Sequence, residues 1–246
     1  MHLPDPDFPP LLKGHAVKAP RKPFEEACRR ARSGDLGAGD VVWSRNTARA
    51  DLAIVLEPDV ALERALQMGP LMLVAVGDCL GALAPPKLAI QYRWPMGIAL
   101  NGSMAGAVRV ACPRVALDQV PEWLVVGARL DLAAQDERED WSQTSLDEEA
   151  GPGITRSDIL QSLAAHFLTR LNAWQDDGFR PVHDQWLFRA EGREAPTVVE
   201  HAGEKIEGLV LGLDEGGNLI IKTTAGKTRS LSFLDCVEMA GRPGSA

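Results

Sequence analysis

Apolar residues recur at helical spacing in three stretches of the chain. The first predicts a short helix near residues 23–32, and the second predicts an alanine- and leucine-rich helix over 59–84. Asp59 can cap this second helix, and the pair Gly69-Pro70 is expected to interrupt it. The third stretch, over 155–177, begins with a capping-box pattern and keeps one apolar face until a terminating glycine. We therefore expect two long helices and one short one.

Short apolar runs between these helices predict β-strands. The pair Asn101-Gly102 is a strong two-residue hairpin signal, which joins two of the runs in an antiparallel pair. The proline-rich residues 1–22 are aperiodic, and the acidic residues 135–149 read as a surface loop. The pattern predicts an α+β domain with a mixed or antiparallel sheet, whose strands cover residues 40–43, 52–56, 87–93, 98–100, 104–112 and 123–132.

The C-terminal part of the chain has a different character. Residues 206–237 alternate short strands with the turn signals Asp214–Gly217 and Ala225-Gly226, which is typical of a small β-barrel-like module. A polar segment at 195–203 is interpreted as a hinge. We therefore expect two domains, residues 1–199 and residues 200–246.

Charge and composition narrow the class of protein. The 246 residues carry 34 acidic and 26 basic side chains, a formal net charge of -8, which argues against capture of nucleic acid or an anionic membrane surface. Apolar stretches fall short of the roughly 20 residues of a membrane span, and no signal peptide pattern opens the chain. Four scattered cysteines without a CxxC pair indicate reduced thiols, no metal site and a cytoplasmic location.

One segment carries a family resemblance. Arg93-Trp94-Pro95, the hairpin and Met104-Ala105-Gly106-Ala107 resemble the biotin protein ligase signature, Lys-Trp-Pro-Asn-Asp followed by a hairpin and Lys-x-Ala-Gly-Ile. Asn46-Thr47-Ala48 is similar to the Gln-Thr-Ala that leads into the family's glycine-arginine loop, and Val126-Gly127-Ala128 is similar to the strand after the hairpin. With Gly178-Phe179, Trp186 and residues 208–237, the similarity to the biotin/lipoate protein ligase family runs in order along most of the chain.

The resemblance implies both a fold and an activity. Members share a class II synthetase-like mixed sheet with helices, followed in this branch by a C-terminal SH3-like barrel. They activate the carboxylate of biotin or lipoate with ATP and transfer the acyl group to a lysine of a carrier domain. It follows that ATP with magnesium, and biotin or lipoate, are expected as cofactors only if ligase activity is retained. A biotinyl or lipoyl carrier domain, another protein or a second copy of the chain is the expected partner.

The sequence departs from the family where its chemistry lies. Met96-Gly97 replaces the Asn-Asp pair, Ser103-Met104 follows the hairpin without the family's lysine, and Arg49-Ala50-Asp51 enters a strand where the glycine-arginine loop should be. Of 7 lysines, Lys87 alone lies between Lys22 and Lys205. We therefore expect a divergent ligase-like protein whose acyl-adenylate chemistry is lost or altered, and we assign no catalytic residue. The alternative is a non-catalytic protein that binds a ligand, a carrier domain or a partner.

Candidate ligand-binding residues follow from the same alignment of motifs. Arginine suits carboxylate and phosphate recognition through its planar fork, although a solvated loop arginine is the other interpretation. We expect the pocket beside Trp94 to be partly filled by Met96 and Met104. We also expect Arg109 to form an ion pair with Asp131. The candidates are Arg45, Asn46, Thr47, Arg49, Arg93, Trp94, Gly106 and Gly127.

Overall fold

The computed structural model describes residues 4–134 and 142–240. The helices in these ranges are α1 (Pro23–Arg32), α2 (Leu62–Ala65), α3 (Met68–Leu83), α4 (Leu146–Ala150), α5 (Arg156–Asp177) and α6 (Arg180–Arg189). The strands are β1 (Lys13–Val17), β2 (Asp40–Ser44), β3 (Arg49–Leu56), β4 (Ile90–Arg93), β5 (Gly97–Leu100), β6 (Ser103–Pro113), β7 (Leu124–Asp131), β8 (Thr197–His201), β9 (Glu204–Leu213), β10 (Leu219–Thr223), β11 (Thr228–Leu231) and β12 (Glu238–Ala240).

The strands form two sheets. The large sheet has eight strands in the order β1-β2-β3-β7-β6-β5-β4, with β12 paired to β6. It is mixed, because β1 runs parallel to β2 and β12 runs parallel to β6, whereas its other pairs are antiparallel. The second sheet has the antiparallel order β11-β10-β9-β8. The predicted α+β fold, with a C-terminal sheet of the SH3-like kind, is confirmed.

The large sheet has two differently covered faces. Side chains of a strand point alternately to opposite faces, so Ala50, Leu52 and Ile54 of β3 face one way and Ala53 and Val55 the other. The first set packs with α3 and α5 in the main core. The second set packs with α1 in a smaller cluster. Helix α1 covers only part of its face, and the first residues of β3 lie beyond it.

Helix α3 is the buried centre of the large domain. Together with α2 it makes an apolar stretch, Leu62–Leu83, of 22 residues and mean hydropathy 1.5, which is long and apolar enough to span a membrane by those criteria. The expectation that every apolar stretch falls short of that length is therefore wrong. Of its most apolar window, 78% is buried within the fold, and a core helix passes the same test.

Helix α5 begins and ends as its sequence predicts. The Thr155 hydroxyl accepts a hydrogen bond from the Asp158 backbone N–H, and the Asp158 carboxylate accepts one from the Thr155 backbone N–H. Gly178 ends the helix at φ 75°, a conformation that glycine adopts without a steric penalty. Local capping chemistry fixes this element, and for that reason it could be located from sequence alone.

Several elements differ from the expectation. The aperiodic N-terminus contains β1, and the polar hinge contains β8, because both are edge strands whose exposed residues hide the apolar pattern. The predicted domain division at 199/200 falls inside β8.

The helices also differ from the expectation, and α6 was not predicted. Ala61 rather than Asp59 precedes α2, and the break lies at residues 66–67, with Pro70 in the first turn of α3. Residues 135–141 of the acidic loop lie outside the described residues.

Candidate functional site

The hairpin within residues 93–107, the segment that carries the family resemblance, is formed as its sequence predicts. Asn101 and Gly102 both have positive φ values, 48° and 89°, and together they turn β5 into β6. This is the two-residue turn in which both central residues need φ above zero, a conformation that Asn and Gly tolerate best. The turn fixes the register of β6, whose first residues reach the uncovered part of the large sheet.

A cavity of about 450 Å³ lies over that uncovered part. Strands β3, β6 and β7 form its floor, the start of α1 forms one wall, and residues after the undescribed segment 135–141 close another side. Its described lining mixes four cationic and three acidic side chains with small and apolar residues. These charged residues are Lys22, Arg49, Arg109, Arg129, Glu25, Asp51 and Asp131.

Ion pairs balance the three arginines of the floor. Arg49 Nε donates to Asp131 Oδ1 over 2.9 Å, and one Arg129 nitrogen lies 3.1 Å from both oxygens of the same carboxylate. Arg109 pairs instead with Glu25 and with Glu238 of β12, each at 2.8 Å. The expected pairing of Arg109 with Asp131 is therefore wrong: Arg109 lies closer to α1 and β12, while its neighbour on β7 is Gly127.

Two charged side chains of the cavity lack such a partner. Asp51 lies directly opposite Arg129 in the register of β3 and β7, yet its side chain forms neither a hydrogen bond nor an ion pair within residues 4–134 and 142–240. Burial raises the pKa of Asp51 to about 6, against the opposing effect of Arg129. Lys22, at the start of α1, is exposed and likewise has no ion-pair partner among the described residues.

Two of the sequence candidates, Gly106 and Gly127, give the cavity its close floor. A Cβ at Gly127 would lie 2.6 Å from Phe24 Cδ2 of α1, far inside van der Waals contact. A Cβ at Gly106 would collide with the backbone oxygen of Arg129 on the neighbouring strand. Glycine at these positions allows α1 to pack closely on β7 and allows β7 to lie close to β6.

The four-residue connection between β2 and β3 holds three more candidates. Arg45 pairs with Asp5 of the N-terminal arm, Nε to Oδ1 at 2.9 Å. Asn46 Oδ1 accepts a hydrogen bond from the Ala48 backbone N–H over 2.9 Å, which closes a tight turn, and Thr47 is exposed. The structure brings Arg49 to the cavity but leaves Arg45, Asn46 and Thr47 outside its described lining.

The remaining candidates lie near the C-terminal sheet. Arg93 Nε donates to Glu191 over 2.7 Å. Trp94 is 7% exposed, and its ring lies 5.5 Å from that of His201. Neither residue lines the sheet cavity, and of Met96 and Met104 only Met104 does so. The arginine-lined cavity is therefore a different site from the space beside Trp94, and partial filling of that space by Met96 and Met104 stays a prediction.

Sequence reasoning missed Lys22, Asp51, Arg109, Arg129 and Asp131 as members of this site. A signal was present, since Arg49 and Asp51 on one strand, and Arg129 and Asp131 on another, are spaced by two within otherwise apolar runs. Period-two spacing places each pair on one face of the sheet. The described part of the chain contains no cluster of three His, Cys, Asp or Glu side chains able to hold a metal ion, and its four cysteines are free.

Comparisons with known proteins agree with this architecture. A biotin–[acetyl-CoA-carboxylase] ligase of Paracoccus denitrificans is 27% identical over 228 residues, 89% of this chain and 88% of that protein. The structure of a biotin protein ligase-like protein of unknown function from Silicibacter sp. TM1040 superposes with a TM-score of 0.85 at 32% identity, covering 94% of this chain and 98% of that one.

A more distant structure shares the fold alone. Biotin protein ligase from Aquifex aeolicus superposes with a TM-score of 0.71 at 16% identity, over 89% of this chain and 95% of that one.

A sequence profile of the Biotin/lipoate A/B protein ligase family matches residues 8–188. This chain therefore belongs to the biotin/lipoate A/B protein ligase family.

Proposed function

We propose that this cytoplasmic protein binds a small carboxylate of the biotin or lipoate type in the sheet cavity, and that the family's acyl-adenylate chemistry is lost or altered. The observation that carries the proposal is the connection between β2 and β3, which consists only of residues 45–48. The family resemblance implies a glycine-arginine loop at this point. Here a hydrogen-bonded turn takes its place.

The loss of transfer chemistry rests on missing donors. Formation of an acyl-adenylate needs hydrogen-bond donors aimed at the charge that develops on carboxylate and phosphate. The turn of residues 45–48 is too short to close over a ligand, and its Arg45 is paired with Asp5. Ser103 follows the hairpin where the family resemblance implies a lysine. These changes remove two sources of positive charge from the reacting atoms.

Retained binding rests on the open cavity. Its volume of about 450 Å³ lies within the range of about 300–1,000 Å³ common for small-molecule sites. Lys22 is a cationic side chain of the lining without an ion-pair partner among the described residues, which favours an anion beside it. Small residues and the side chains of Phe24 and Met104 supply apolar surface for the rest of the ligand.

One pair of assays tests the two halves of the proposal. Purified protein is incubated with ATP, magnesium, biotin or lipoate and an apo carrier domain, alongside an active biotin protein ligase as positive control. We expect no increase in carrier mass with this protein. Calorimetry with biotin and with lipoate is expected to detect binding to at least one of them. Carrier modification at a rate comparable with the control would contradict the first half, and absence of all binding would contradict the second.

Two arginines provide a matched control for the location of the ligand. Arg49 lines the cavity, whereas Arg45, four residues earlier, is held by the N-terminal arm. Arg49→Ala should weaken ligand binding about 10-fold or more, the range for hydrogen bonds to charged groups, and Arg45→Ala should leave it unchanged. The opposite order of effects would move the binding site to the β2–β3 turn.

One observation favours a second candidate, a working ligase. Lys22 is a lysine at the cavity wall, and it could supply the positive charge that the hairpin lacks. Its partner would be a carrier domain; the Paracoccus denitrificans relative is named as a ligase of biotin and acetyl-CoA carboxylase. Carrier modification that is abolished by Lys22→Ala and retained in Lys18→Ala would establish this candidate.

A further inference from the structure

Among the described residues of the cavity lining, Asp51 is an acidic group with which no arginine forms an ion pair. Asp51 stands opposite Arg129, and residues so placed on antiparallel strands have their Cβ atoms about 5 Å apart. A hydrogen-bonded pair would be expected at that separation. Arg129 instead lies 3.1 Å from both oxygens of Asp131, which Arg49 also contacts. Both neighbouring arginines are thus turned away from Asp51, whose carboxylate remains available to a ligand.

The surroundings of Asp51 decide which donor suits it. Arg49 on its own strand, Arg129 on β7 and Arg109 on β6 favour the ionised form of Asp51, and Glu25 of α1 opposes it. Asp131 and Glu238, which pair with these arginines, offset part of their positive charge. A ligand ammonium placed against Asp51 would face three guanidinium groups. A neutral N–H or O–H group carries no such repulsion, and a hydrogen bond from it to a buried carboxylate is among the stronger ones in proteins.

We propose that Asp51 is a specificity-determining residue that accepts a hydrogen bond from a neutral N–H or O–H donor on the ligand, at the end remote from the ligand's carboxylate. Lys22 then meets the anionic end. This assignment rests on the proposed function of the cavity and narrows its ligand class. Carboxylates with an amide, urea or hydroxyl group bind, whereas plain fatty acids lack the donor.

Four carboxylates and three variants test this assignment by calorimetry. Biotin carries a neutral cyclic urea, lipoate and octanoate carry no donor at the far end, and 8-aminooctanoate carries an ammonium group. Biotin should bind the unmodified protein most tightly of the four. Asp51→Ala should weaken biotin binding about 10- to 100-fold and leave lipoate and octanoate unchanged. Asp51→Asn keeps an acceptor oxygen and should lose less, while Asp35→Ala, far from the cavity, should lose nothing.

The pH dependence gives a readout that a merely structural role would not produce. Asp51 ionises near pH 6, and the ionised form is the better acceptor, so biotin affinity should rise between pH 5.5 and 7 and then level off. Asp51→Asn should lose that rise. Equal binding of biotin and octanoate, tighter binding of 8-aminooctanoate, or an unaffected Asp51→Ala would overturn the assignment but leave carboxylate binding intact. Absence of binding for all four would overturn the proposed function and this assignment together.

Discussion

The two faces of the large sheet use the same strands for different purposes. On the face covered by α3 and α5, Leu52 and Ile54 are fully buried in a continuous apolar core. On the other face, beyond the end of α1, Arg49 and Asp51 alternate with them along β3 and line a cavity. A change of one position along the strand therefore separates a residue that stabilises the fold from one that lines the cavity.

The two faces contribute to the free energy of folding with opposite signs. Apolar burial on the helix-covered face favours folding, whereas a carboxylate held half-buried without a partner opposes it. Groups that oppose folding and are nevertheless kept rigidly in place often serve binding or catalysis. Neighbouring residues of β3 allow this contrast to be measured directly.

The largest effect is expected from the covered face. Leu52→Ala should lower the free energy of unfolding by about 2–5 kcal/mol, because it removes a fully buried side chain and leaves a cavity. Chemical denaturation followed by circular dichroism measures the loss. Leu117→Ala, at a residue that is 44% exposed, is the control and should change the free energy by less than about 0.5 kcal/mol. A loss at Leu52 as small as that of the control would contradict the contrast between the faces.

A smaller effect of opposite sign is expected one residue away. The pKa of Asp51 is about 6 in the fold, above its ordinary 3.8, so the folded protein binds the proton more tightly than the unfolded chain does. Stability from this group is therefore lost as pH rises from about 4 to 6. Asp51→Asn changes the free energy of unfolding at both pH values. The change at pH 7.5 should be more stabilising than the change at pH 4 by about 1–3 kcal/mol. Denaturation curves at both pH values measure this difference, and an equal effect at the two would contradict the burial of Asp51 without an ion-pair partner among the described residues.

The smallest effect is expected from the ion pairs of the open face. Arg109→Ala removes contacts to Glu25 and Glu238 and a guanidinium 4.1 Å from the centre of the Phe24 ring. The side chain is 40% exposed, so the loss should be about 1 kcal/mol or less and should shrink in 1 M salt. Arg193→Ala, at an exposed residue without an ion-pair partner in the described part of the chain, is the control. A salt-independent loss of several kcal/mol would place Arg109 in the structural core.

The sequence predicted the elements that local chemistry determines. Thr155 and Asp158 cap α5 within one turn, and Asn101-Gly102 sets the hairpin by its own backbone preference. The edge strand β1 was missed because it is held by pairing with β2, residue 13 with residue 40, and shows no apolar alternation of its own. Capping and turn residues predict the element that contains them. Pairing between strands that lie far apart in sequence leaves no pattern in a short stretch of residues.

The same limit applied to the site. Arg45 and Arg49 look equivalent in sequence, yet Arg45 meets Asp5, 40 residues earlier, and Arg49 meets Asp131, 82 residues later. Only the three-dimensional arrangement assigns one to the arm and the other to the cavity. Lys22 was overlooked for the same reason, since nothing in residues 20–24 indicates that this turn lies beside β3 and β7.

Strand β12 has a consequence for how the protein is made. It pairs with the end of β6, where Glu238 stands beside Ala111, and it supplies the carboxylate that holds Arg109. The set of carboxylates around Arg109 is therefore incomplete until residues up to 240 have emerged from the ribosome, long after β6 has been synthesised. A nascent chain halted after β7 has the covered face of the sheet available for packing but lacks one of the groups that orient Arg109. The final orientation of Arg109 should consequently be a late event in the biogenesis of this chain, coupled to its C-terminal strand.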